Sequence, residues 1–147
     1  MSQANMVWCD LDATLATYEG WKGIHTIGEP FPGAKKFMHD LIAMGVEKGF
    51  KVGVFTCRTK LDMPGREILD AAFPDAGEAH LIGHLEGLVV QWLRMHKIPY
   101  HEVYTGQGKP PGLAYIDDRA VWCDPKSMGA PEAFRYALEA VRGILEK

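Results

Sequence analysis

Asp10-Leu-Asp-Ala-Thr-Leu15 follows directly on the apolar run Met6-Val-Trp-Cys9. Far along the chain, Asp117-Asp118 follows a second run, Leu113-Ala-Tyr-Ile116. Short apolar runs of this kind predict buried strands, so each pair of carboxylates stands where a strand ends. Like charges about 4 Å apart repel by roughly 4 kcal/mol at an effective dielectric near 20. A fold that gathers four carboxylates needs a cation, a shared proton or hydrogen-bond donors. Oxygen-only ligands suit a hard ion such as Mg²⁺, and that combination points to phosphate chemistry.

Working outward from these two runs, the chain alternates strands with amphipathic helices. Residues 16–33 hold glycines and prolines and predict a long loop or flap, beginning at about residue 15. Ala34, Phe37, Met38, Leu41 and Ile42 share one helical face, which stops near Gly45 to Gly49. Lys51-Val-Gly-Val-Phe55 reads as a second strand, and a turn-rich stretch with Pro64-Gly65 leads to a short helix before Phe73-Pro74. Leu81, Leu85, Leu88 and Trp92, with Ile82, Val89 and Leu93, form a strong amphipathic helix closed near Pro99. Glu102-Val-Tyr-Thr105 predicts a third strand and Leu113–Ile116 a fourth. Ala130-Pro131 opens a last helix with Phe134, Leu138, Val141 and Leu145 on one face. The alternation predicts an α/β fold, a Rossmann-like three-layer arrangement of one parallel sheet with helices on both faces.

The chain of 147 residues predicts one domain spanning 1–147. Its net charge of −3 argues against a broadly basic nucleic-acid surface. No apolar stretch approaches a membrane span, and the first residues lack the pattern of a signal peptide. The three cysteines, Cys9, Cys57 and Cys123, form no CxxC pair and are odd in number. A reduced, cytoplasmic setting without membrane contact is therefore expected.

Ligands of open parallel sheets bind at the carboxyl ends of the strands. Asp10, Thr56, Lys109 and Asp117-Asp118 all fall just after predicted strands and would converge at one sheet edge. Each has a role in phosphoryl transfer. A carboxylate at Asp10 can attack phosphorus and form an acyl-phosphate. Asp12, two residues on, can protonate the leaving oxygen and then activate water. Thr56 and the turn after it offer a hydroxyl and backbone N–H groups, and Lys109 supplies a compact positive charge. Asp117-Asp118 helps hold Mg²⁺ against Asp10.

Four stretches carry a resemblance to the haloacid dehalogenase-like superfamily of phosphatases: Asp10-Leu-Asp-Ala-Thr-Leu15, Val54-Phe-Thr56, Gly108-Lys109-Pro110 and Tyr115-Ile-Asp-Asp118. They resemble the family's four motifs, in its order, over about residues 6 to 124. The resemblance implies that Asp10 is the nucleophile and Asp12 the general acid/base. It implies that Mg²⁺ sits on Asp10, the backbone carbonyl of Asp12 and Asp118, with Asp117 acting through water or as an outer acceptor. Thr56 and Lys109 would bind phosphate, joined by Cys57 and Arg58 of the same loop. Ala13 stands where many members have glycine. The stretch between Asp10 and Thr56 holds a flap and one crossover helix, which leaves no room for a large cap domain. Capless members of this kind often act on exposed or macromolecular phosphates, or borrow a neighbouring subunit as a lid. The implied substrate is a phosphorylated small molecule, a nucleotide or a nucleic-acid end, and a homo-oligomer stays open.

Two rival readings stand beside this one. A polynucleotide 3′-phosphatase shares the resemblance, but the acidic net charge weighs against it. A non-catalytic phosphate-binding or signalling module also combines Asp, Thr and Lys on a parallel sheet. In a receiver domain, however, the acidic pair follows the first strand, whereas here it follows the fourth. Individual residues keep open alternatives too. Arg58 reaches substrate or pairs with Asp62. Trp21 covers a substrate or anchors the flap. His80 and His84 share a helix face, with solvent or partial core packing preferred over metal. Cys9 faces away from the site as a small core residue.

Overall fold

A computed structural model describes residues 5–147. The chain forms two units, one ending at Ile116 and one running from Asp117 to Lys147.

The first unit contains strands β1 (Met6–Asp10), β2 (Lys51–Phe55), β3 (Glu102–Val103) and β4 (Ala114–Ile116), and helices α1 (Ala34–Lys48), α2 (Arg66–Ala72) and α3 (Glu78–Met95). The strands form one parallel sheet in the order β3-β2-β1-β4. The fold is therefore α/β. The two outer strands are shorter than the sequence pattern predicts. Ladder bonding nonetheless runs on beyond them, with Tyr104 N–H donating to Val54 at 2.9 Å and Leu113 N–H to Met6 at 2.8 Å.

Strand alternation sends Val7 and Cys9 to one face with their register partners Val52 and Val54. Ala34, Met38 and Leu41 of α1 and Val89, Trp92 and Leu93 of α3 join them in a single buried cluster. Both helices belong to crossovers that step the same way, from β1 to β2 to β3, and right-handed crossovers then place them on one face. The connection that reverses direction, from β3 to β4, carries no helix. Within the first unit, the expected helical cover is thus observed on one face. Cys9 is fully buried in this cluster, as its position in the strand predicts. Fully buried side chains such as Leu93 each stabilise the fold by about 1.5–3 kcal/mol relative to exposure.

The opposite face is organised by Trp8, which is fully buried. It pairs in register with Gly53 and Tyr115, donates its indole N–H to Pro111 at 2.9 Å, and meets Tyr104 edge-on at 5.4 Å. A Cβ at Gly53 or at Gly112 would run into the indole, so glycine at both places lets the neighbouring chain segments close around the ring.

The predicted flap is an irregular loop whose ends are joined. Thr17 donates its N–H and its hydroxyl to Glu29 at 2.8 and 3.0 Å, and Phe31 N–H donates to Leu15 at 2.8 Å. Ile24 lies in a second buried cluster with Leu61, Met63, Leu69, Leu81 and Leu85, against which Trp21 and Phe73 pack. The flap is thereby tied to α2 and α3.

The second unit contains a short helix α4 (Pro125–Met128) and α5 (Ala130–Leu145). Asp124 caps α4 by accepting from Ser127 N–H at 3.3 Å and from its hydroxyl at 2.7 Å. Ala133 of α5 is fully buried, and Trp122 meets Tyr136 edge-on at 6.1 Å. The apolar face read from the sequence of α5 is exposed at Phe134, Leu138, Val141 and Leu145.

Candidate active site

The sheet order places β1 between β2 and β4. Successive strands step outward from β1 to β2 to β3, and the chain then returns to the other side of β1. Such a reversal is a topological switch point, where the carboxyl ends of neighbouring strands part and leave a crevice. Asp10 ends β1 and pairs in register with Phe55, the residue before Thr56. Cys9 pairs with Ile116, the residue before Asp117. Three of the four motif strand ends therefore emerge side by side, with Asp10 in the middle.

After β1 the chain turns sharply. The Oδ1 of Asp10 accepts from Leu11 N–H at 2.8 Å, and Leu15 and Ala16 N–H groups both return to the Leu11 carbonyl at 2.9 Å. Ala13 has φ 63°, in the left-handed region, and donates its N–H to Ala16 at 2.8 Å. This conformation costs a residue with a Cβ about 1–2 kcal/mol and explains why glycine suits the position. Among the described residues, the buried hydroxyl of Thr14 has no hydrogen-bond partner.

Asp12 meets the loop after β2. Arg58 donates from Nε to Oδ2 at 2.8 Å and from Nη2 to Oδ1 at 2.9 Å, a two-pronged ion pair whose side chains are 5% (Arg58) and 21% (Asp12) exposed. The partner is thus Asp12, and the alternative pairing of Arg58 with Asp62 is not formed. The same guanidinium donates to the carbonyls of Thr26 at 3.0 Å and Gly23 at 3.4 Å, and lies 5.1 Å from the centre of the Trp21 ring. Trp21 is therefore part of the flap's anchorage. Thr56 is buried, and its hydroxyl accepts from Arg58 N–H at 3.1 Å, capping a 3₁₀ turn over Cys57–Thr59. Cys57 in this turn is exposed.

Lys109 lies 4.3 Å from the centre of the Tyr115 ring, a cation–π contact that holds it beside the strand neighbouring β1. The segment before it is secured by residues that the sequence did not single out. Lys60 donates to the carbonyls of Gly106 and, at 3.0 Å, Gly108, and burial lowers its pKa. Gln107 accepts from Leu61 N–H at 2.9 Å and donates to the Thr59 carbonyl at 3.3 Å. The Thr59 hydroxyl, fully buried, donates to the Tyr104 carbonyl at 2.9 Å. No sequence signal marks these three, because a lysine, a glutamine and a threonine in turn-rich stretches ordinarily face water.

In the second unit, Asp117 and Asp118 lie on an irregular stretch. Asp117 accepts from Arg119 N–H at 3.0 Å, and Arg119 approaches Asp118 at 3.6 Å while remaining 76% exposed itself. Burial, and then the neighbouring Asp117, raise the pKa of Asp118. His80 and His84 both rest against Phe73, with ring centres 5.0 and 4.9 Å apart. His80 is exposed and His84 half-buried, within the expected range of solvent contact and partial core packing.

No known protein family, curated protein or solved structure matches the chain. Among the described residues, no helix is long and apolar enough to cross a membrane.

Proposed function

We propose that this chain is a capless phosphohydrolase of the haloacid dehalogenase-like kind, working through an aspartyl-phosphate at Asp10. The observation that carries the reading is the parallel pairing of β1 with both β2 and β4, which sets Asp10 at a switch point between the other two motif strands. In this reading the Asp10 carboxylate attacks phosphorus, the bond from phosphorus to the leaving oxygen breaks, and Asp12 delivers a proton to that oxygen. Asp12 then takes a proton from water, which attacks the same phosphorus and frees Asp10. Thr56 and the turn it caps, with Lys109, bind the phosphate oxygens.

The donor set fits Mg²⁺. It is made of carboxylate and carbonyl oxygens, the hard ligands this ion prefers. The resemblance assigns the ion to Asp10, the backbone carbonyl of Asp12 and Asp118, with Asp117 acting through water or as an outer acceptor. Bound there, Mg²⁺ would offset the negative charge of phosphate and carboxylates. The substrate class is a phosphate monoester, and a cytoplasmic setting suits an odd number of cysteines, Cys9, Cys57 and Cys123, with no CxxC pair.

The test is hydrolysis of p-nitrophenyl phosphate with Mg²⁺, with EDTA, and by Asp10→Asn. The expected result is metal-dependent turnover that the substitution reduces to background. Full activity in a folded Asp10→Asn variant would overturn the mechanism.

A further inference from the structure

Arg58 touches two parts of the molecule, the loop carrying Asp12 and the middle of the flap. Its side chain is 5% exposed, and a buried guanidinium must be paired and hydrogen-bonded. The structure does this with both carboxylate oxygens of Asp12 and the carbonyls of Gly23 and Thr26. The base of the flap has its own fastenings, from Thr17 to Glu29 and from the Trp92 indole to the Gly28 carbonyl at 2.9 Å. Among the described residues, the side-chain hydrogen bonds reaching residues 18–27 all come from Arg58. Beside it lies a cavity of about 180 Å³, lined by Thr17, Tyr18, Lys22, Thr26 and Arg58 among others. Its shape therefore depends on where the guanidinium holds the flap.

We infer that Arg58 is a positioning residue, which sets the Asp12 carboxylate and fastens flap residues 21–26 over the loop that carries it. The part concerning Asp12 rests on the phosphohydrolase reading, whereas the fastening of the flap does not. Lysine is a poor substitute, because a single ammonium cannot bond both carboxylate oxygens and two carbonyls in one plane.

The experiment compares the protein with Arg58→Met and Arg58→Lys by hydrogen exchange of the flap amides, without ligand. Arg58→Met is expected to lower protection of residues 21–27 at least tenfold, with β1 and β2 unchanged, and Arg58→Lys to fall between. Unchanged flap protection in Arg58→Met overturns the inference. If Arg58→Met does not fold, Arg58→Lys decides it, and protection equal to that of the unaltered protein overturns it. With p-nitrophenyl phosphate, a positioning role lowers kcat at least tenfold and leaves KM within twofold, and guanidinium ion partly restores kcat in Arg58→Met. A rise in KM with kcat preserved would instead make Arg58 a phosphate ligand and overturn the positioning role. Absence of turnover in the unaltered protein would count against the phosphohydrolase reading alone, and the exchange result would still decide the flap.

Discussion

The loop after β1 and the stretch after β4 each begin with aspartates, and the fold treats them in opposite ways. Asp12 is bound at both oxygens by a buried arginine that also grips the flap. Asp118 has an exposed arginine 3.6 Å away and a second carboxylate beside it. The first arrangement pairs each carboxylate oxygen with an N–H of a buried cation. In the second, burial and then the neighbouring Asp117 raise the pKa of Asp118. The difference teaches that one strand-end acid is held by a buried side chain of the fold, whereas the other shares its place with a second carboxylate and an exposed arginine.

Three substitutions break or sharpen this contrast. Asp12→Asn should have the largest effect on stability. It leaves the Arg58 guanidinium buried without its anion, at a cost of about 3 kcal/mol. Urea denaturation would show it as a lower midpoint, and a change below about 1 kcal/mol would mean that the pair is solvated. Ala13→Gly should move stability the other way. Relief of the left-handed strain at φ 63° is partly offset by the freedom glycine gains when unfolded, leaving a net gain of about 0.5 kcal/mol. A clear loss of stability would sink that account of the loop.

Asp118→Asn should have the smallest effect, within about 0.5 kcal/mol. Its sign depends on pH. A carboxyl whose pKa is raised in the fold favours the folded state while it is protonated. That advantage is present below its unfolded pKa and is lost as pH rises through the raised value. The variant should therefore be slightly more stable than the unaltered protein near neutral pH, and not in acid. On the proposed reading it should also bind Mg²⁺ more weakly than the unaltered protein, measurable by calorimetry. Equal destabilisation by Asp12→Asn and Asp118→Asn would erase the contrast between the two loops.

Much of the fold was legible because burial imposes a simple pattern. The apolar runs at Met6–Cys9 and Lys51–Phe55 and the helical periodicity of α1 and α3 are visible since each element must hide one face. The stop of α1 at its glycines and the start of α5 at Ala130-Pro131 follow from local backbone chemistry. The partners of Arg58 were not legible. On paper a guanidinium on a flexible stem reaches substrate or Asp62, and only the folded loop and flap, with Trp21 and Thr26 around it, bring it to Asp12. Lys60 and Gln107 were missed for the same reason, because their partners are backbone carbonyls and amides that carry no residue-type signal. The apolar face of α5 shows the reverse limit: periodicity identifies the stripe, but its exposure is not written in it.

The sequence by itself determined the α/β alternation, the strand ends that carry Asp10, Thr56 and Asp117, and the oxygen-rich chemistry of those residues. Each depends on interactions between near neighbours in the chain, or on the uniform demand that apolar side chains leave water. The tertiary structure decided the strand order β3-β2-β1-β4, the switch point beside β1, and the attachment of Asp12 to the flap through Arg58. These depend on contacts between residues far apart in sequence, whose free energies exist only once the chain has closed on itself.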